Sequence, residues 1–587
     1  MLWVFLIALG VLTVVGVDYR DDPFFRTPVS DAASYDTWAR RLAATGYSDE
    51  PGFHQSPLFP VMLAAAYRAA PQASMESAAL VLQSVLLAAA IALLVPLGRA
   101  LFDRRAAGLA AAGVALLYAP LVFYSLKRLP VALAVATQAL ALVLVLRLRD
   151  LPGARHGALA GVGVGLACLA RAEFLLFVPV ALILLHGLRE RRATFAGFVA
   201  GVVLTIAPVT VHNFRHGDTT LIASAAGENL FIGNQPGGDG GHQPLDPKAG
   251  DLRSQRVLAR RIAEQARGEP LSGSAVSAYW IGRAWSEIAS APGEWLRLEG
   301  RKFKRWLSPG DPTDLYSMAL ERGAYVPSLY AFALPTLGLW LLAGAGVVVV
   351  RSRRERRAWP LFAILLLHLL VLMVFFVSTR LRLPFLFWLC PLAGLGAASA
   401  IERWRSGSKT TAAILLTLVV AIAATDLVRQ RPPDREVLRL AAVLSSQDRL
   451  EESLDVMEPF LRRTEPDPAL LDQAGWVHSK RGELDEALSF YERALGAGLN
   501  PRQEQQTLSR MAGGLERLHR LQEAAAAHDR SIAMNPAEAG AWFERAMFRL
   551  RRGDRPGAIV DLQEANRLLP EWDPPKEALR SLAAGDR

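Results

Sequence analysis

Asp31 is the second residue of SDAASYDTWARRLAATGYSDEPGFHQSPLFP, residues 30–60, an acid-rich stretch set between two very apolar ones. Ser and Asp satisfy the free N–H groups of a first helical turn, so the spacing predicts a helix from Ser30 or Asp31. On that helix Asp31, Tyr35, Trp38 and Leu42 share one face, while Asp36 and Arg40 form a second, polar one. Gly46 suits its end, and Ser56-Pro57 restarts a helix in the favoured cap-then-proline order. Two short helices at a membrane surface would present a carboxylate, Asp31 with Asp36 next, beside a turn carrying His54 and Gln55. Three more charged spots lie at the ends of apolar runs, where charge is costly and is kept for a purpose. They are Lys127-Arg128 in YSLKRLP, Arg171 with Glu173 in LARAEFLL, and Arg380 with Arg382 in STRLRLPF. Each cation can also simply snorkel to the interface, as Asp31 can simply cap its helix.

These residues need a frame that holds them against hydrocarbon. Of the 587 residues, 52% are hydrophobic, and the apolar ones concentrate in the first three quarters. Met1–Val17 lacks a basic n-region and a small-residue cleavage site, so it reads as an anchor rather than a signal peptide. Further apolar segments lie near 75–97, 106–124, 129–147, 157–171, 173–188, 195–212, 326–350, 358–377, 384–401 and 410–428. The expectation is an all-α polytopic bundle of about eleven spans over residues 1–428. Basic loops at 99–105, 146–157, 189–192, 351–357 and 402–409 all fall on one side, which the positive-inside rule makes cytoplasmic. The N-terminus is then inside, and 18–74, 213–325 and everything after Val428 are outside. The net charge of +10 is spent on those short loops, which argues against a nucleic-acid partner. Both cysteines, Cys168 and Cys390, sit in apolar runs and make no disulfide framework.

Segment 213–325 is too polar to span. It opens with a strand-like stretch that ends in the glycine-rich NQPGGDGG turn, and no Gly-Lys-Ser/Thr follows to make it a phosphate cradle. Later, Trp280, Trp285, Trp295 and Trp306 stand among basic residues in 277–307, as expected of an amphipathic helix pair with an interfacial aromatic belt.

After a linker at 429–436, residues 437–587 change to the periodicity of a soluble helical protein. Pro466, Pro501, Pro536 and Pro570 recur at the period of tetratricopeptide repeats. Trp476–Leu495 and Trp542–Leu562 show the inner pattern, with Gly482 and Gly553 at the tight turn and Ala487 and Ala558 at the helix crossing. The copy between them carries His519 in place of glycine. Stacked pairs form an α-solenoid with an extended concave surface and no chemistry of its own, so this part is expected to dock a protein or glycan partner.

The first loop carries a resemblance. D-x-x-x-Y-D-x-W-A-x-x-[IL]-A-x-G followed by F-x-Q-[SA]-P-L-[FY]-P resembles the first external loop of bacterial GT-C type glycosyltransferases, with His54 standing where an aromatic is usual. P-x-x-x-x-N-x…G-x-N-x-x-x-G-N looks like the start of their large external loop, and the Arg380–Arg382 turn resembles their R-[YL]-R-x-P element. The resemblance implies a multi-pass enzyme of the bacterial inner membrane, of the aminoarabinose-transferase and protein-mannosyltransferase kind. It would move a sugar from a polyprenyl-phosphate carrier to an acceptor outside the cytoplasm, with inversion. It also implies Asp31 as the catalytic carboxylate, with Asp36 next.

That reaction needs a carboxylate for the acceptor proton and fixed positive charge for the departing lipid phosphate. Arg380, Arg382, Lys127, Arg128 and Arg171 are the candidates for the phosphate, with His54 and Gln55 nearby. No acid stands beside Lys127 in the sequence, where related proteins often have one. No cofactor and no metal are expected: Asp21-Asp22 and Asp311 with Asp314 lack further ligands at metal spacing and read as solvated surface. No G-x-S-x-G appears for a serine nucleophile. Two rivals are a non-catalytic membrane anchor for the repeats and a lipid-linked glycan transporter. Against the transporter, there is no inverted repeat of interrupted helices.

Overall fold

The computed structural model describes the chain apart from residues 47–51, 72–73, 187–190, 246–251, 311–314, 333, 407–433, 571 and 585–587. The described residues are helical throughout, with short 3-10 turns and no strand. They form two compact units, Met1–Arg431 and Pro432–Arg587.

In the first unit, six described helices are long and apolar enough to cross a membrane: Leu2–Asp21, Met75–Phe102, Arg191–Arg215, Pro327–Arg353, Arg356–Val374 and Thr379–Arg405. Arg105–Leu117 and Ala119–Leu126 make a seventh only as a pair bent by 61°. The expected runs at 129–147, 157–171 and 173–188 become shorter helices, Val131–Arg147, Ala154–Ala170 and Ala172–Leu185. Val131–Arg147 is buried on nearly every face, as a helix at the centre of the bundle is. The expected span at 410–428 lies outside the described residues.

Small residues set how closely these helices pack. Gly157 and Gly161 on Ala154–Ala170 meet Thr194 and Phe198 on Arg191–Arg215, and a methyl on Gly161 would lie 2.1 Å from the Phe198 carbonyl. This four-residue spacing of glycines is the way helices approach where no hydrophobic effect drives them together. Cys168 and Cys390 are both buried.

The first loop folds as the two expected short helices, Ser30–Thr45 and Leu58–Ala69. Gly46 closes the first in the left-handed conformation, φ +84°. The caps differ from expectation. Val29 is the N-cap residue, without a side-chain bond, and Asp31 turns away from the helix end. Ser56 does not cap either: its Oγ accepts the Ala172 N–H at 3.1 Å, which ties the loop to the end of Ala154–Ala170. Tyr35, Ala39, Phe59, Leu63 and Tyr67 pack together with Leu133 and Ala170 of the bundle.

Beneath this loop lies a buried charge cluster. Lys127 is 1% exposed. Its ammonium bonds Glu321 and lies 3.5 Å from Asp22 Oδ2. The rings of Tyr19, Phe24, Phe123 and Tyr316 stand 4.4, 5.3, 4.6 and 4.7 Å from Nζ, so cation–π attraction adds to the pairing. Burial, and then the neighbouring Asp22 carboxylate, push the Glu321 carboxyl well above its usual range. The solvated-surface expectation for Asp21-Asp22 fails at Asp22, which is 2% exposed. Its Oδ1 also accepts the Phe24 N–H at 2.8 Å. The acid absent beside Lys127 in sequence is supplied from two distant segments.

The described residues of segment 213–325 contain no strand; after the helix Arg191–Arg215 ends, the chain runs as turns and coil into the short helix Ala226–Gly233. The expected helix pair is present as Gly273–Ser290 and Pro292–Leu307. Its tryptophans divide rather than forming one belt: Trp280 and Trp306 are buried, and Trp285 is 60% exposed.

The second unit is a run of helix pairs, Asp434–Ser446 with Leu450–Leu461, Pro468–Arg481 with Leu484–Gly496, Pro501–Arg517 with Leu521–Met534, and Ala539–Arg551 with Arg555–Leu568, followed by Asp573–Ala584. The first of these helices begins inside the linker expected at 429–436. Each pair turns through one left-handed residue: Asp448, Gly482, His519 and Gly553, with φ of 62°, 84°, 60° and 80°. His519 thus keeps the repeat geometry that its identity obscured. Ala487, Ala524 and Ala558 are each 0% exposed at the helix crossings. Arg545 bridges Asp529 at 2.6 Å and the buried Asp561 at 2.8 Å.

Lys127→Met should lower the thermal unfolding midpoint of the detergent-solubilised protein strongly, at a cost of about 3–5 kcal/mol, because Asp22 loses its counter-charge. Adding Asp22→Asn to that variant should recover much of the loss.

Candidate functional site

The first loop, the segment entering Ala226–Gly233 and the start of Thr379–Arg405 enclose a cavity of about 450 Å3. Its lining includes the polar residues Asp31, His54, Gln55, Arg171, Glu173, Glu228, Arg256 and Arg380 and the apolar residues Leu129, Val131, Leu372, Phe375 and Phe376. A cleft with a few convergent polar groups on an apolar base is the usual form of a ligand site.

Asp31 and Arg380 meet here across nearly the whole first unit, in a direct ion pair. Their side chains are 20% and 13% exposed, so both remain within reach of a ligand. Arg380 stands in the first turn of Thr379–Arg405, whose positive end adds to its charge. Arg171 pairs with Glu173 on the other side. His368 of Trp359–Val374 also lines the space, with Nε2 3.1 Å from the Gln138 amide oxygen.

His54 and Glu228 are brought together by backbone pairing. Ser224 N–H donates to the Phe53 carbonyl at 3.0 Å and Ala225 N–H to that of His54 at 3.1 Å, while Phe53 N–H donates to Asn213 Oδ1 at 3.0 Å. His54 Nε2 then lies 3.6 Å from Glu228 Oε2. Burial, with the nearby Arg256 and Arg260 charges, lowers His54 to about 3, so the ring is neutral at physiological pH. Burial pushes Glu228 up to about 7, against the pull of the same two arginines. The contact is therefore between a neutral imidazole and a carboxyl that titrates near neutrality.

The remaining candidates lie outside the cavity lining. Asp36 is buried; its oxygens accept from Tyr67 Oη at 2.5 Å and Arg40 Nε at 2.7 Å, and Arg128 Nη1 stands in ion-pair contact at 3.0 Å. Arg128 also donates to the Phe25 carbonyl. Lys127 is held in its own buried cluster. Arg382 is fully buried, and its guanidinium donates to the carbonyls of Trp306 at 3.2 Å, Ser308 at 2.7 Å and Gly310 at 2.9 Å. The structure thus brings Asp31, His54, Gln55, Arg171 and Arg380 together, and leaves Asp36, Lys127, Arg128 and Arg382 outside the cavity lining.

Glu228, Arg256 and His368 were not singled out by sequence. A signal existed for His368, a polar residue in the apolar run WPLFAILLLHLL. Glu228 lies in the GENLFIGN element, where the asparagines drew attention instead. Asn234 of that element has a structural part: its Oδ1 accepts Lys302 Nζ at 2.9 Å and Trp295 Nε1 at 3.1 Å, and its amide donates to the Val374 carbonyl at 2.9 Å. Among the described residues, no cluster of three or more His, Cys, Asp or Glu is placed to hold a metal ion.

No family model and no curated protein matches the chain. Among solved structures it is similar to YrrB, a TPR protein with an unusual peptide-binding site, at 16% identity over 31% of this chain and 88% of that one, TM-score 0.22. It is similar to an oligosaccharyltransferase of Archaeoglobus fulgidus, in complex with Zn and sulfate, at 14% identity over 76% of this chain and 56% of that one, TM-score 0.39. A third likeness is to the APC/C hetero-tetramer Cut9–Hcn1, at 13% identity over 96% and 98%, TM-score 0.25. Values this low assign neither family nor activity.

The two neighbouring arginines should separate in a thermal unfolding assay. Arg382→Ala removes a fully buried guanidinium that satisfies three carbonyls, that of Trp306 buried and those of Ser308 and Gly310 part-buried, and should cost about 3 kcal/mol. Arg380→Ala opens one partly exposed pair and should cost about 1 kcal/mol or less.

Proposed function

We propose that the first unit is a membrane glycosyltransferase that moves a sugar from a polyprenyl-phosphate carrier to an acceptor outside the cytoplasm. The observation that carries this reading is the Asp31–Arg380 pair in a cavity lined by both polar and apolar side chains. A lipid-linked phosphate suits that mixture: its chain packs on Leu372, Phe375 and Phe376, and its charge is drawn to Arg380 and Arg171. When the phosphate engages Arg380, Asp31 loses its partner inside the cavity. Its freed carboxylate then accepts the proton of the attacking hydroxyl, while Arg380 stabilises the departing phosphate. The donor sugar is the substrate and no cofactor takes part. The helix pairs of the second unit dock the acceptor or a protein partner. The protein resides in a bacterial inner membrane, with the large loop and the repeats on the outer side.

The test is consumption of labelled polyprenyl-phosphate sugars by the purified full-length protein. Asp31→Asn keeps the shape of the side chain and should lower turnover by about 100- to 10,000-fold, the range of a lost general base. Arg380→Ala should raise the concentration of carrier needed for half-maximal rate. Equal turnover in wild type and Asp31→Asn would remove Asp31 from the chemistry, and no turnover with any carrier would favour a membrane anchor for the repeats.

A further inference from the structure

A second, smaller cavity of about 190 Å3 adjoins the first and shares His54, Glu228 and Arg256 with it. Beyond that shared wall it is lined by Asp218, Arg260 and Ser272, with His216 at its side. Leu271 and Val276 complete it, and no Phe, Tyr or Trp is among its described lining residues, in contrast to the larger space.

The smaller cavity is built with care. Asp218 Oδ1 accepts the Thr220 N–H and hydroxyl at 3.1 and 3.0 Å, which fixes the carboxylate in place. Gly52 and Gly273 lie against it, and a methyl on either would come within 2.8 and 2.3 Å of Asp218 Oδ2. Any other residue at those two positions would crowd the acid and fill the space. Arg260 is braced by the Leu271 carbonyl at 2.5 Å and by Glu264 at 3.6 Å. The result is a pocket with fixed acceptors and donors of both signs, the surroundings that bind several hydroxyls at once.

We propose that the smaller cavity is the acceptor subsite, taking a hydroxyl-rich group such as a sugar ring, with Glu228 and His54 positioning the reacting hydroxyl at the shared wall. This rests on the sugar-transfer reading for its chemistry. The acceptor oxygen bonds to the anomeric carbon of the donor sugar. The bond from that carbon to the phosphate oxygen breaks, and its electron pair stays on the lipid phosphate. The hydroxyl proton passes to Asp31. Glu228 and His54 act as positioning residues and undergo no net change.

The groups facing Glu228 are His54 from the first loop and Arg256 and Arg260 from Leu252–Arg267. A hydroxyl donates more strongly to a carboxylate than to a neutral carboxyl. Glu228 is ionised above about pH 7, so acceptor affinity should be fully present at pH 8 and should fall as the pH drops to 6.

The test is saturation-transfer NMR of methyl hexosides with the full-length protein in lipid nanodiscs, without donor. Wild type should bind at least one hexoside several-fold more tightly at pH 8 than at pH 6. E228Q should bind it at least fivefold more weakly at pH 8 and lose the pH dependence, and E228D should restore part of both. A merely structural role for Glu228 would move neither the pH profile nor its rescue. Unaltered affinity in E228Q, or no hexoside bound by a protein that consumes donor, overturns the subsite. Glu228-dependent binding by a protein that consumes no donor keeps the subsite and overturns sugar transfer instead.

Discussion

Charge enclosed near hydrocarbon must be answered by charge, and the first unit is arranged around that requirement. Lys127 cannot leave Asp22 and Glu321 without stranding an acid in an apolar setting. Through that one ammonium, the end of the first helix, the turn before Val131–Arg147 and the helix Met318–Ala324 are held at a common point. Arg128 and Arg40 do the same for Asp36, and Arg382 fastens the turn after Pro292–Leu307 to the start of Thr379–Arg405. These buried contacts tie distant segments of the first unit together around the cavity where Asp31 and Arg380 meet.

The Asp31–Arg380 pair differs in kind. It faces a space large enough for a ligand, and neither side chain is sealed off. An ion pair open to a cavity can be exchanged for another of the same sign, which a sealed one cannot do without unfolding its surroundings. The distinction between cations that hold the frame and a cation that can change partners is what the geometry adds to a set of charged residues.

Much of the helical layout was legible in the sequence because it follows from local chemistry. Gly46, Gly482 and Gly553 fall at left-handed turns as their type requires, and the apolar runs become helices. The errors came where a residue's setting is decided far away in the chain. Asp22 looked solvated because its partner Lys127 lies a hundred residues on. His519 hid a regular turn, since a non-glycine residue can be forced left-handed when both flanking helices are anchored. Of the cavity lining, Asp31, Arg171, Arg380, His54 and Gln55 had been singled out by sequence. Glu228 was not, because the backbone pairing of 53–54 with 224–225 that carries it to His54 leaves no pattern in the sequence.

The two buried thiols have a practical consequence. Cys168 and Cys390 are the chain's only cysteines, and both are shielded inside the helical bundle. The large loop and the repeat unit carry none, so neither depends on oxidative folding machinery to reach its native state. The same scarcity makes the natural chain a ready background for sidedness mapping, because a single cysteine introduced into any loop would be the sole accessible target for a membrane-impermeant maleimide.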